Sequence, residues 1–306
     1  MGYLLILCAT ALFYVAVGSF VAFAQSRTGA FFIAGGVAFG CGAYCAAILL
    51  TNGVTDLVVL VLASVIAGVL SGLLVAVLSA LHDARVLDVI GLALLLLCAT
   101  IARSWYVPGA ESGSWSALTN GSFGLGGFEN PSLLGFDFGD ERAGAVVASL
   151  LVCIASALLV TRADRGVWGI SLRAIRDDRL QGALDGYRIL SRQLALGMFA
   201  GAGLGAGGAC YALTYRFVDP SLLGIETAIG VCLIPLIFPF GGPVMRAIVG
   251  GVVFALLPEL LRGLNVISPY ETYARNLIFF LLALLLNLAV SERSQRAGSK
   301  RPGVVR

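Results

Sequence analysis

The residues of this chain best placed to do chemistry lie in one basic island, Thr161–Arg192, reading TRADRGVWGISLRAIRDDRLQGALDGYRILSR. It holds seven arginines (Arg162, Arg165, Arg173, Arg176, Arg179, Arg188, Arg192), and no other stretch between Arg27 and the tail beginning near Ser291 holds as many. Inside it Leu172, Ile175, Leu180, Ala183 and Leu184 recur at helical spacing, leaving Arg173, Arg176, Asp177 and Asp178 largely on the polar side. Ser171–Leu184 is too short and too charged to cross a membrane, so the spacing predicts a short interfacial helix. Its chemistry is non-covalent: it orients the protein and offers a soluble partner something to grip.

Other chemistries are poorly represented. No glycine cluster is followed by Gly-Lys-Ser/Thr, so there is no nucleotide-binding loop, and any transporter lacking one must use an ion gradient or borrow an ATPase. The seven cysteines all fall inside apolar segments without CxxC spacing, which reads as small hydrophobes rather than a disulfide framework or a zinc site. His82 lies in a polar turn beside Asp83, so no proton relay is evident, and Glu226, Arg246 and Glu259 sit near span ends where snorkelling explains them. Asn287 reads as an interhelical hydrogen bonder. Net charge is +3 with the arginines confined to loops, which does not describe a nucleic-acid surface.

The elements that position the island are membrane helices. The chain is 59% hydrophobic and 12% charged, about half the charged share of ordinary soluble domains, and its mean hydropathy is +0.95. A span needs about 20 apolar residues, which predicts helices near 2–24, 30–50, 57–80, 87–102, 143–161, 193–214, 225–240, 244–261 and 275–291. The fold class is therefore an all-α polytopic bundle of about nine spans, with eight or ten open because Pro235, Pro239 and Pro243 can break a helix. Ala22-Phe23-Ala24 has the small-x-small look of a signal-peptidase site, but no Lys or Arg precedes the apolar run, so Met1–Ala24 reads as a retained first span. Arginine bias puts Arg27, the His82–Asp88 turn, 162–192 and the basic tail 293–306 in the cytoplasm, with 103–142 and the N-terminus outside. Gly197, Gly201 and Gly205 recur every four residues, a face for close helix packing.

Several motifs, in order, resemble one family. Gly169-x3-Arg173-Ala174-Ile175-Arg176-Asp177-Asp178-x4-Ala183-x2-Gly186 looks like the cytoplasmic coupling loop of permeases in branched-chain amino-acid ABC importers, specifically the LivM-type subunit. Phe39-Gly40-Cys41-Gly42-Ala43-Tyr44 is similar to its early GIGAY motif, and Leu118-Thr119-Asn120-Gly121-Ser122-Phe123-Gly124-Leu125 to its external Leu-Thr-x-Gly-x-x-Gly-Leu signature. Tyr187 to Tyr211 resembles its Gly/Ala-rich helix, Phe217-Val218-Asp219-Pro220 its short external turn, and Leu256-Leu257-Pro258-Glu259-Leu260-Leu261 its LPELL segment. The matches cover about residues 30–262. Phe123 stands where family members usually carry a polar residue, often Asp; the Gly-rich turn survives only as Gly241-Gly242-Pro243 with Gly250-Gly251; and the helix after the His82–Asp88 turn lacks the usual Tyr-Leu-Ala-Ile pattern. The resemblance is that of a divergent member.

The resemblance implies an ABC-importer permease with a transmembrane domain over 1–292. It implies no bound cofactor and no catalysis here: ATP is bound and hydrolysed on two partner ATPase subunits. A second homologous permease, a secreted substrate-binding protein and membrane lipid complete the partners, in a bacterial plasma membrane. Leu172, Arg173, Ile175, Arg176, Asp177, Asp178, Ala183 and Gly186 carry over as ATPase-coupling residues, with Leu172 and Ile175 filling the ATPase groove. Gly40, Gly42, Tyr44, Thr119, Gly121 and Gly124 carry over as substrate-pathway candidates. The solute is expected to be a branched-chain amino acid or a related small polar compound such as urea or an amide. An acidic, aromatic external loop (Glu111, Glu129, Asp137, Asp140, Glu141; Trp105, Tyr106, Trp115) is expected to meet the binding protein. The rival class, an ion-coupled secondary transporter, usually buries carboxylates at mid-membrane, and none stands near the middle of a predicted span.

Overall fold

The computed structural model of the protein describes residues 2–79, 84–128, 130–133, 136–137 and 141–263, with six further positions between 277 and 285. Six helices among them are long and apolar enough to cross a membrane: α1 (Gly2–Thr28), α3 (Leu57–Ser79), α4 (Ala84–Ser104), α5 (Glu141–Arg165), α8 (Ile189–Tyr215) and α10 (Pro243–Gly263). Two shorter apolar helices accompany them, α2 (Gly35–Thr51) and α9 (Ile225–Leu233), and two polar ones, α6 (Val167–Asp177) and α7 (Arg179–Leu184), occupy the basic island. Helices dominate because hydrocarbon offers backbone N–H and C=O groups no partner outside the segment itself. The expected span 225–240 is shorter than predicted: it gives way to a 3-10 turn at Ile234–Leu236, where Pro235 has no N–H to continue the ladder. The expected span 275–291 lies largely outside the described residues.

Glycine positions the bundle around α8. A Cβ on Gly197, Gly201 or Gly205 would overlap backbone atoms of α3 at Gly72, Gly68 or Ser64, and the same holds in reverse for Gly68 and Gly72. The two backbones touch, which is how helices associate where lipid supplies no hydrophobic drive. Ser64 fixes α3 to α2 by donating from Oγ to the Gly42 carbonyl at 2.9 Å. Phe13, Val17 and Val21 of α1, Phe39 and Leu50 of α2, Leu60, Leu95 and Leu204 fill one continuous core. On α3, Leu62, Ile66, Leu70 and Val77 keep the helical period but point outward, an exposed apolar stripe. Ala22, Phe23 and Ala24 are buried inside α1.

Two ends result. Arg27 and 162–192 gather at a basic end, tied by Arg27–Asp164 and by Arg176 to the Ser26 carbonyl, and described residues of 103–142 gather at the other, where Leu125–Gly126 pairs with Phe217–Val218. His82 and the 293–306 tail lie outside the described residues. α2 starts at Gly35, not near residue 30, for a physical reason. Residues 29–34 turn through Gly29 (φ 71°) and Phe32 (φ 69°), and the N–H groups of Phe31, Phe32 and Ile33 donate to the Asp88 carboxylate at 2.9, 2.7 and 3.2 Å. A carboxylate from α4 thus satisfies donors just ahead of α2, where negative charge is favoured. Gln25 adds a second tie, donating from Nε2 to the carbonyls of Phe31 at 2.9 Å and Cys232 at 3.0 Å.

Candidate functional site

The basic island folds as two helices with a break, not as one helix over 171–184. Asp178 breaks it: its backbone is extended (φ −148°, ψ 113°), and its Oδ1 accepts from Leu180 N at 2.8 Å and Gln181 N at 3.1 Å, capping α7. Gly182 lets α7 fold back, because a Cβ there would press on Ile175 at 3.1 Å. Gly186 ends the helix in the left-handed region (φ 82°), with Tyr187 N bonded to Gly182 O and Gly186 N to Ala183 O, both at 3.1 Å. That is a Schellman ending, and it explains the glycine.

The two apolar residues expected to fill a partner's groove are turned the other way. Leu172 is 2% exposed and packs with Phe20, Phe23, Val160 and Leu196; Ile175 is 6% exposed and lies under Gly182. They anchor α6 to this chain's own bundle and have little side-chain surface left to offer. The exposed apolar surface is on α7, where Leu180 is 71% and Leu184 80% exposed, with Ala183 beside them.

Charge fastens α6 from the other side. Arg173 donates to Asp164 Oδ1 at 3.0 Å, and the same oxygen takes Arg27. Arg176 donates to the Ser26 carbonyl at 2.8 Å and to Asp177 at 3.2 and 3.1 Å. The Arg27 side chain is 1% exposed, its guanidinium 5.1 Å from the Phe23 ring centroid. The sequence reading used Arg27 only to orient the chain and missed its pairing with Asp164, although an acid between Arg162 and Arg165 was a visible signal.

The expected pathway residues do not share one surface. Gly40 sits against Leu223 and Gly42 against the Gly205 backbone. At the opposite end Thr119 donates to the Ala102 carbonyl at 2.7 Å and closes the last turn of α4. Gly121 (φ 56°) lies on Tyr106 and Gly124 (φ 74°) on the 218–219 turn, so both turns need glycine. Leu125–Gly126 (β1) then pairs antiparallel with Phe217–Val218 (β4), while Ser132–Leu133 (β2) pairs with Phe136–Asp137 (β3). Tyr44 differs from the other five. It is buried and its hydroxyl has no hydrogen-bond partner among the described residues, with Asp219 and Arg103 in electrostatic reach. In the outer loop Trp105 Nε1 donates to the Trp115 carbonyl at 2.8 Å and leaves the Trp115 ring exposed. Glu129 and Asp140 lie outside the described residues.

No curated protein and no solved structure matches the chain. The sequence does match the family model described as branched-chain amino acid transport system / permease component, over residues 3–287. Nearly the whole bundle falls within that match, including the glycine-packed core, the two-helix basic segment and the clip of β1 on β4. This multi-pass membrane protein belongs to the family of permease components of branched-chain amino acid transport systems.

Proposed function

We propose that the chain is the membrane-spanning, non-catalytic permease subunit of an ATP-driven importer, energised by two separate ATPase subunits and working beside a second permease and a secreted binding protein. Its membrane is the bacterial inner membrane, with the basic end cytoplasmic. The observation that carries this reading is the construction of 167–186: α6 is fastened to α1 and α5, and α7 folds against α6 at Gly182 with Leu180 and Leu184 uncovered. A push on α7 passes through Gly182 to Ile175, and from α6 through Arg173 and Arg176 to the ends of α5 and α1. The bundle then rocks between inward and outward states. The solutes that fit the family are branched-chain amino acids and related small polar compounds.

The test replaces Leu180 and Leu184 with Asp together. Both side chains are exposed and no span is touched, so the variant inserts and keeps its thermal stability. It loses co-purification with the ATPases and ATP-dependent uptake, because an apolar contact surface has become charged. Retained ATPase binding, or uptake that survives ATP depletion while an ion gradient stands, rules the reading out.

Orientation is checked separately. On a cysteine-free background Ser116→Cys, exposed in the outer loop, reacts with an impermeant thiol reagent in intact cells, and Ala183→Cys, exposed on α7, reacts after permeabilisation. The reverse pattern inverts the topology.

A further inference from the structure

A cavity of about 220 Å³ opens at the basic end, bounded by α6 and by α2, α3 and α8. A water needs on the order of 15 Å³ by the same measure. Its shape follows from α8. Gln193, Leu196, Gly197, Gly201 and Leu204 line it along one face of that helix, so at about 1.5 Å per residue this wall runs about 16 Å from rim to floor. So small a volume spread over that length suits a hydrocarbon chain better than a compact solute. The wall chemistry agrees: below the rim it is apolar or glycine, with Ala38, Val75 and Ala76 opposite α8 and the α6 anchors Leu172 and Ile175 alongside.

The rim is cationic. Arg176 of α6 and Arg179 of α7 stand on it beside Gln193, and no Asp or Glu is among the described lining residues. The Arg176 side chain is 41% exposed and Arg179 is half-buried, so both keep surface that a ligand can meet. Arg176 pairs with Asp177, and Arg179 donates to Gln193 Oε1 at 3.4 Å. The Asp177 side chain is itself 67% exposed, and a pair so open to water holds weakly, so another anion can displace it. Arg27, buried and paired with Asp164, supplies no donor to the cavity. The rim also lies at the ends of the long apolar helices α1, α3 and α8, through Thr28, Ser79 and Gln193. That is the level at which lipid phosphates meet a spanning bundle, and basic pockets between such helices suit anionic headgroups.

We propose that this cavity is a site for one anionic phospholipid, with the lipid phosphate on Arg176 and Arg179 and part of one acyl chain along the α8 wall. The headgroup then bridges α6, α7 and α8, and the chain lies on Leu172 and Ile175, so bound lipid tightens the hold of the two-helix segment on the bundle. The site requires only that the chain spans a membrane; ATPase coupling can fail without touching it.

Native mass spectrometry of the full-length chain tests it, with titration in detergent by phosphatidylglycerol, by phosphatidylcholine of the same acyl chains and by sn-glycerol 3-phosphate. The expected result is one phosphatidylglycerol retained about tenfold or more tightly than phosphatidylcholine, with glycerol 3-phosphate neither bound nor competing. Arg176→Gln/Arg179→Gln is expected to lose about 25-fold in affinity, since each basic residue at a lipid headgroup contributes about a factor of five. Arg162→Gln/Arg188→Gln removes the same charge from exposed positions off the cavity lining and is expected to leave the affinity unchanged. If the rim pair shows no thermal transition, Arg179→Gln alone is read, with a loss of about fivefold. Phosphatidylcholine held as tightly, glycerol 3-phosphate competing, an equal loss in the off-cavity pair, or a folded rim variant binding like the native chain each overturns the proposal.

Discussion

Gly201→Ala is expected to remove most of the folded protein from the membrane fraction, while Gly242→Ala leaves yield and melting temperature unchanged. In an unobstructed helix interior the change from Gly to Ala stabilises by about 0.5–1 kcal/mol. At Gly201 the sign reverses, because the new Cβ falls on the Gly68 carbonyl oxygen and beside the Gly72 Cα at 3.1 Å. Backbone cannot swing aside as a side chain does. α3 and α8 would have to part, and Ser64, whose backbone oxygen touches Gly205, would be drawn away from Gly42. Overpacking of this kind typically costs about 1–3 kcal/mol and sometimes more. A Cβ on Gly242 meets nothing within 4 Å. Thermal unfolding of both variants in detergent decides it, and a Gly201→Ala protein as stable as the native one refutes the packing account.

Asp164→Asn is expected to be far more damaging than Arg173→Gln, although both break an ion pair on the same carboxylate. The difference lies in burial. The Arg27 side chain is 1% exposed and Arg173's is 51% exposed. Removing the charge from Asp164 leaves a guanidinium buried without its counter-ion, which costs about 3–5 kcal/mol. Losing the exposed Arg173 partner costs under about 1 kcal/mol, since water replaces it. Melting temperatures report the two losses directly; equal shifts would mean that water reaches Arg27. The paired change Arg27→Gln/Asp164→Asn is expected to recover much of the stability, because no orphan charge remains.

Much of this architecture is legible in the residues, since a lipid solvent demands long apolar helices and the arginines sort their ends. The misreadings share a cause. Periodicity places Leu172, Ile175, Leu180 and Leu184 on helical faces, but it does not tell whether such a face meets the chain's own bundle or another protein. Here the first pair is buried and the second exposed. The break at Asp178 was visible, since Asp-x-x-Gln is a helix-start pattern, yet the apolar spacing on both sides of it masked the boundary. Gly40, Gly42, Thr119, Gly121 and Gly124, carried over from the resemblance as pathway candidates, also have structural work here, in close approaches, turns and a cap. Phe123, the departure within that signature, is 68% exposed beside Tyr106. Asp88 and Arg27 required knowledge of what lies across the bundle, which no local pattern carries.

The bond from Gln25 to the Cys232 carbonyl joins residues 207 positions apart. During synthesis at roughly 5–20 residues per second, the carbonyl emerges about 10–40 s after the amide. α1 therefore enters the bilayer long before α10 and α9 exist to cover it, with Gln25 and Arg27 waiting near the surface where water still reaches them. Maturation of the protein is consequently a closing event, in which helices made later seal the first, and a chain truncated before α9 would leave α1 exposed to whatever degrades incomplete membrane proteins.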